Sequence, residues 1–190
     1  MTSTVIGFDQ LSEAHQETAA RLLKTALVHA PAAWRSLRAA RAEVASFYEE
    51  PDRAAIALIE DDNLIGWAGR IRHYDGHAWE LHPLVISPAR QRRGHGRRLL
   101  LALEDLARDA GVSTMFLGTD DDFGGTNLFG RDLYPDPMNW AARIEVVTRH
   151  PFAFYRKLGY AVVGVLPDVN GPGRPDILMA KRIRPAAPAR

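Results

Sequence analysis

Gln91-Arg92-Arg93-Gly94-His95-Gly96 stands between the β-branched run Leu84-Val85-Ile86 and an amphipathic helical pattern that begins near Gly96. A loop of this composition turns successive backbone N–H groups toward one anion, and the helix that follows adds the positive end of its dipole. The glycines let the backbone approach the anion closely and adopt positive φ, while Arg90, Arg92, Arg93, Arg97 and Arg98 bring counter-charge. The ligand these features suit is a diphosphate. Two common phosphate loops do not fit. A P-loop needs Lys-Ser/Thr after its second glycine, where Arg97-Arg98 stands, and a dinucleotide fingerprint needs a small residue at Leu99.

Outward from this loop the chain reads as strand, loop, helix, strand. Residues 79–87 form the strand before it, and residues 96–110 the helix after it, with Leu99, Leu103, Leu106 and Ala110 as the buried stripe and Gly111 as the stop. Residues 114–119 form the next strand, so a right-handed parallel crossover is expected with the loop at the carboxyl edge. Upstream, residues 4–8 read as a strand, and Ser12 opens a helix that Pro31 ends. A second helix over residues 32–48 carries Trp34, Leu37, Ala40, Val44 and Phe47, and strands 53–59 and 64–73 make a hairpin around Asp61-Asp62-Asn63. Downstream, residues 120–148 show little periodicity and read as a substrate loop. A short helix over 151–158 and strands over 161–166 and 176–182 follow. The expectation is one α/β domain over residues 1–183, with residues 184–190 a disordered tail.

Composition removes several function classes. With 190 residues and a formal net charge of +1, there is no global case for a nucleic-acid partner. Cysteine is absent, which excludes disulfides, a thiol nucleophile and thiolate-rich zinc sites. The seven histidines show no His-x-x-x-His pair, so no metal is expected. The first residues lack a basic and apolar leader, and no run is apolar enough to span a membrane, so the expected location is cytoplasmic.

Strand periodicity places Glu80, His82, Leu84 and Ile86 on one face and Leu81, Pro83 and Val85 on the other. Pro83 cannot donate to a ladder, which predicts a bulge or a parting of strands there. A carboxylate and an imidazole thus share a face, with Glu80, directly or through a water, the candidate base for a proton transfer and His82 its neighbour or substitute. Between residues 119 and 139, five aspartates (Asp120, Asp121, Asp122, Asp132 and Asp136) face one Arg131. An acidic lip of this kind steers a polycation, although acidic loops are also ordinary solvated surface. Glu145 would add a carboxylate and Tyr74 an aromatic wall.

The loop 91–96, together with Glu80-Leu81-His82-Pro83-Leu84-Val85-Ile86, Gly118-Thr119-Asp120-Asp121, residues 150–160 and residues 175–181, resembles the GCN5-related N-acetyltransferases (GNAT). Within these it resembles the aminoglycoside 6'-N-acetyltransferases, over roughly residues 74–181. The resemblance implies the GNAT fold, a mixed and splayed sheet flanked by helices. It also implies acetyl-CoA as co-substrate, bound by Leu84, Val85, Ile86, Gln91, Arg92, Arg93, Gly94, His95, Gly96, Arg97 and Tyr155. The N–H near Leu84 would polarise the thioester carbonyl. Tyr155, which periodicity alone reads as packing beside Phe152 and Leu158, would return a proton to the departing thiolate. The acceptor implied is the 6'-amine of an aminoglycoside, on Tyr74, Glu80, His82, Asp120, Asp121, Asp136 and Glu145, in a possible homodimer. Phe129, where the family often has serine, and residues 26–37 depart from its pattern, so the acceptor is the less determined substrate. The alternatives are transfer to a polyamine, peptide or metabolite amine, and a noncatalytic coenzyme A-binding sensor.

Overall fold

The computed structural model describes residues 3–26 and 34–184. These form β1 (Ser3–Gly7), α1 (Glu13–Ala26), α2 (Leu37–Glu49), β2 (Arg53–Glu60), β3 (Asn63–His73), β4 (Ala78–Ile86), α3 (His95–Asp109), β5 (Thr114–Asp120), α4 (Pro137–Ala142), α5 (Pro151–Lys157), β6 (Ala161–Leu166) and β7 (Asp176–Arg182). The strands make an open sheet in the order β1-β2-β3-β4-β5-β7-β6, flanked by helices in the α/β manner expected. The chain clusters in two compact units, one of Met1–Met115 with Ile183–Arg190 and one of Phe116–Arg182.

In the first unit, β1 to β4 are joined by antiparallel ladders. Asp61 and Asp62 both take positive φ, 48° and 61°, which gives the two-residue primed turn that suits the twist of a tight hairpin. Residues 64–69 of β3 are buried one after another, so both faces of this strand are covered. Trp67 is fully buried against Phe8 and Phe47, and its indole N–H donates to the Ala19 carbonyl of α1 at 3.2 Å. That bond satisfies the one polar atom of the ring and ties α1 to the sheet.

Two helical expectations are corrected here. The second helix begins at Leu37, because Ser36 is its N-cap and accepts from the Ala39 N–H at 3.1 Å. Trp34 therefore precedes the helix, with φ 40°. Pro31 and residues 32–33 lie outside the described residues, as do residues 185–190 of the expected tail. On α3 the buried stripe is Leu99, Leu100, Leu103, Glu104 and Ala107, while Leu106 is 47% exposed and Ala110 is exposed. Leucine occupies three successive positions at 99–101, so periodicity alone admits several phases, and packing on β2, β3 and β4 selects the one centred on Leu99, Leu103 and Ala107.

In the second unit, β6 and β7 pair antiparallel, with the register shifting between Val162 and Gly164. The segment 120–148 contains α4, which the reading as a loop missed. Its Asp136 N-cap accepts from the Asn139 N–H at 3.1 Å, and Pro137 stands in its first turn. Six residues are too few for a hydrophobic period, but Asp-Pro is itself a helix-start signal.

Candidate active site

β4 carries the first part of the site. Ala68 lies opposite Leu84, and Arg70 opposite Leu81, so Gly69 alone faces His82 and Pro83. This is the bulge that Pro83 predicts. A Cβ on Gly69 would come within 2.3 Å of the His82 carbonyl oxygen, which explains a glycine there. Beyond the bulge, the Ser87 N–H donates to the Ile65 carbonyl at 2.8 Å while Gly66 lies opposite Ile86. In an antiparallel ladder this makes Gly66 and Ile86, and two residues on Ala68 and Leu84, pairs that do not bond to each other. The N–H and C=O groups of Leu84 and Ile86 therefore point away from β3. The Gln91 side chain donates to one of them, the Ile86 carbonyl, at 3.2 Å.

Glu80, His82 and Leu84 are half-buried on one face of β4, with Leu81, Pro83 and Val85 buried on the other. Each polar residue has a partner on another element. Glu80 Oε2 lies 3.0 Å from His73 Nε2 at the end of β3. His82 Nε2 lies 3.3 Å from Glu43 Oε1 of α2, with the Trp34 ring 5.7 Å away between centroids. Arg53 Nη1 donates to the same Glu43 oxygen at 2.8 Å, and the Trp34 indole N–H donates to the other at 3.3 Å. Burial pushes the Glu43 carboxyl up, but its bond to and charge attraction from His82, with Trp34 and Arg53, outweigh that and hold it below the usual value. Glu43 and His73 were not found in the sequence. Glu43 did leave a trace there, as an acid on the helical face shared by Ala40, Val44 and Phe47. Tyr74 sits on the turn after His73, 77% exposed.

The anion loop follows β4. Gly94, with φ 84°, is the N-cap residue of α3, and no heavy atom lies within 4 Å of where its Cβ would be. Gln91, Arg92, Arg93, Gly94 and Arg97 are exposed, and the first N–H groups of α3, from His95 onward, have no acceptor within the helix. An open glycine and a helix start flanked by exposed guanidiniums fit a diphosphate. Two of the five arginines are spent elsewhere, which corrects their reading as mobile counter-charge. Arg90 pairs at 2.8 Å with the buried Glu60, and Arg98 bonds Ser3 of β1 through its side-chain oxygen and its carbonyl.

In the second unit the acidic segment is largely structural. Asp121 is fully buried and accepts from the Gly125 N–H, the Thr126 N–H and the Thr126 hydroxyl at 2.7–2.8 Å. Its placement on an acidic lip is thereby corrected, because a carboxylate that closes its own loop presents no charge to solvent. Asp122 pairs with Arg174, and Asp132 accepts from the Tyr134 N–H. Asp136 is an exposed helix cap, Glu145 is exposed, and the half-buried Asp120 accepts from Asn170. His150 joins this segment to α5. Its Nδ1 accepts from the Phe152 N–H at 3.1 Å, so Nε2 carries the proton and donates to the Asp120 carbonyl at 3.0 Å. Desolvation pushes the His150 imidazole below its usual pKa, and a neutral ring is what this capping requires. Tyr155 packs edge-on against Phe154 and Tyr160, and desolvation raises its phenol, which keeps it protonated.

Among the described residues no group of histidines and carboxylates could hold a metal ion, and no helix is long and apolar enough to cross a membrane. A family profile, the acetyltransferase (GNAT) family, matches residues 17–133. Solved structures match over nearly the whole chain. An aminoglycoside 6'-N-acetyltransferase complexed with coenzyme A is 37% identical, with a TM-score of 0.88 over 97% of this chain and 99% of that one. The aminoglycoside 6'-N-acetyltransferase from Enterococcus faecium is 36% identical with a TM-score of 0.85, and an aminoglycoside 6'-acetyltransferase type Ii is 32% identical with a TM-score of 0.71, both over 97% of this chain and 99% of theirs. The comparison with curated proteins finds no match.

Proposed function

The chain belongs to the acetyltransferase (GNAT) family, and from that premise we propose that it moves an acetyl group from acetyl-CoA to a primary amine, the 6'-amine of an aminoglycoside. One observation carries the substrate class: 37% identity and a TM-score of 0.88, over nearly the full length of both chains, to an aminoglycoside 6'-N-acetyltransferase with coenzyme A.

In this reading the exposed amides after Arg92 and the start of α3 hold the diphosphate, with Gly94 giving close approach and Arg92, Arg93 and Arg97 supplying charge. Acetyl-CoA supplies an acetyl thioester. The Leu84 and Ile86 backbone groups that point away from β3 bind the pantetheine amides, and the Leu84 N–H faces the thioester oxygen, where negative charge develops during attack. An ammonium has no lone pair, so the acceptor must first lose a proton to the Glu80 and His82 face. Tyr155, kept protonated by desolvation, returns a proton to the departing sulfur. Asp120, Asp136 and Glu145 keep the acceptor-facing role, and Asp121 does not. A cytoplasmic homodimer is part of the same proposal.

Coenzyme A release measured over a panel of aminoglycosides, polyamines and peptides, with product mass and regiochemistry, tests this. The expected product is a 6'-acetylated aminoglycoside. Turnover confined to polyamines or peptides would replace the acceptor, and acetyl-CoA binding without release on any amine would leave a sensor.

A further inference from the structure

Glu60 ends β2 with its side chain only 7% exposed, and a buried charge is costly unless it is matched. The turn that closes the β2–β3 hairpin does not need this carboxylate, because Asp61 and Asp62 already take the φ values of a primed turn. Its match is Arg90 Nη1 at 2.8 Å, on the short turn Pro88–Arg90 that leads into the anion loop. On the far side of the loop, early in α3, Arg98 donates from one guanidinium nitrogen to the Ser3 hydroxyl and from the other to the Ser3 carbonyl at 2.6 Å. Ser3 and Glu60 lie directly opposite each other across the β1–β2 ladder. The two arginines that bracket residues 91–97 are thus pinned to neighbouring points at one end of the same ladder. The bracketed segment is one that needs holding. Arg92 takes φ 61° and Gly94 φ 84°, both at exposed positions, and a left-handed residue with a side chain persists only where its surroundings impose it.

We propose that Glu60 and Ser3 are positioning residues for acetyl-CoA. Through Arg90 and Arg98 they hold both ends of residues 91–97, so that the backbone N–H groups of the loop are set for the diphosphate before it arrives, and neither residue touches the ligand. Ordering the loop in advance takes that entropic cost out of binding. A direct contact between Arg90 and the diphosphate makes the opposite demand on Glu60. A carboxylate beside the arginine would compete with the phosphates for it, and neutralising that carboxylate would tighten binding. The sign of one substitution therefore separates the two roles. This role deepens the acetyltransfer reading and rests on its diphosphate loop.

Glu60→Gln keeps the shape of the side chain and removes the charge that anchors Arg90. Titration calorimetry should show the Kd of coenzyme A raised by about tenfold. Steady-state kinetics should show the acetyl-CoA KM raised to match, with kcat at saturating acetyl-CoA and the acceptor KM within about twofold of wild type. Adding Arg90→Gln should raise the Kd by less than about threefold more, since the pair acts as one tie. An unchanged or tighter Kd in Glu60→Gln, a fall in kcat without a rise in the acetyl-CoA KM, or a larger further loss with Arg90→Gln would overturn the proposal. If Glu60→Gln does not fold, Arg98→Lys keeps the charge but loses the two-pronged grip on Ser3. It should raise the same Kd several-fold, and an unchanged Kd there would overturn the proposal too. The ligand-free protein supplies a readout that needs no substrate. Trypsin cleavage after Arg92 or Arg93 should quicken several-fold in Glu60→Gln relative to cleavage after Arg131, an exposed residue of the second unit, and an unaltered ratio would also overturn the proposal. If the wild-type protein binds no coenzyme A, the acetyltransfer reading falls while the cleavage ratio still decides whether Glu60 holds the loop.

Discussion

Gly94→Ala separates the fold's need for this glycine from the ligand's. An L-residue held at φ 84° costs about 1–2 kcal/mol in backbone strain, and nothing lies within 4 Å of the new methyl group to add a steric cost. For a chain of this size that is about 2–8 °C in Tm, at 2–4 °C per kcal/mol. Gly130 is a matched control, since it has φ 73° and also nothing within 4 Å of its Cβ position, but it lies in the segment after β5. Both alanine variants should lose similar thermal stability. Only Gly94→Ala should weaken acetyl-CoA, because its methyl group enters the open space where the diphosphate is proposed to approach the backbone. A tenfold rise in Kd, about 1.4 kcal/mol, is the least that contact should cost. Differential scanning calorimetry and isothermal titration calorimetry measure the two effects independently. If both variants lose the same Tm and both keep wild-type affinity, the loop is not the diphosphate cradle.

Three further outcomes are expected. Tyr155→Phe should leave acetyl-CoA affinity near wild type and lower kcat by about tenfold or more, since only the proton donor is removed; an unchanged kcat under conditions where chemistry limits the rate would return Tyr155 to packing. Asp121→Ala strands three donors, all of them in the buried residues Gly125 and Thr126, and should cost about 3–5 kcal/mol of stability, at about 1–3 kcal/mol each with partial relief by water; chemical denaturation measures this, and a small loss with a raised acceptor KM would restore it to the acceptor site. His150 titrates lower in the fold than unfolded, so its contribution is complete above the unfolded value of about 6.5 and is lost as pH falls below that toward the folded value. Melting temperatures from pH 7.5 to 5 should therefore fall less steeply in His150→Asn, whose amide can still cap α5, than in wild type.

The anion loop was legible in the sequence because its signal is local: glycines where the chain turns, arginines beside them, and a β-branched run before a helical one. The same holds for the β2–β3 hairpin, the bulge at Pro83, and β6 and β7, since turn chemistry, strand alternation and the missing proline N–H act between neighbours along the chain. What only the tertiary structure decided is which charged side chains meet. Asp120 to Asp122 look alike as a run of three, yet one closes its own loop, one pairs with Arg174, and one accepts from Asn170. Arg90 and Arg98 belong by sequence to the phosphate cluster, but Glu60 and Ser3 claim them. Glu43 and His73 reach the β4 face from α2 and β3, and no spacing encodes that approach. A side chain's chemistry is written in its residue type, but its protonation, partner and exposure follow from how separate elements pack, and burial raises the cost of leaving a charge or donor unmatched until the fold supplies the match.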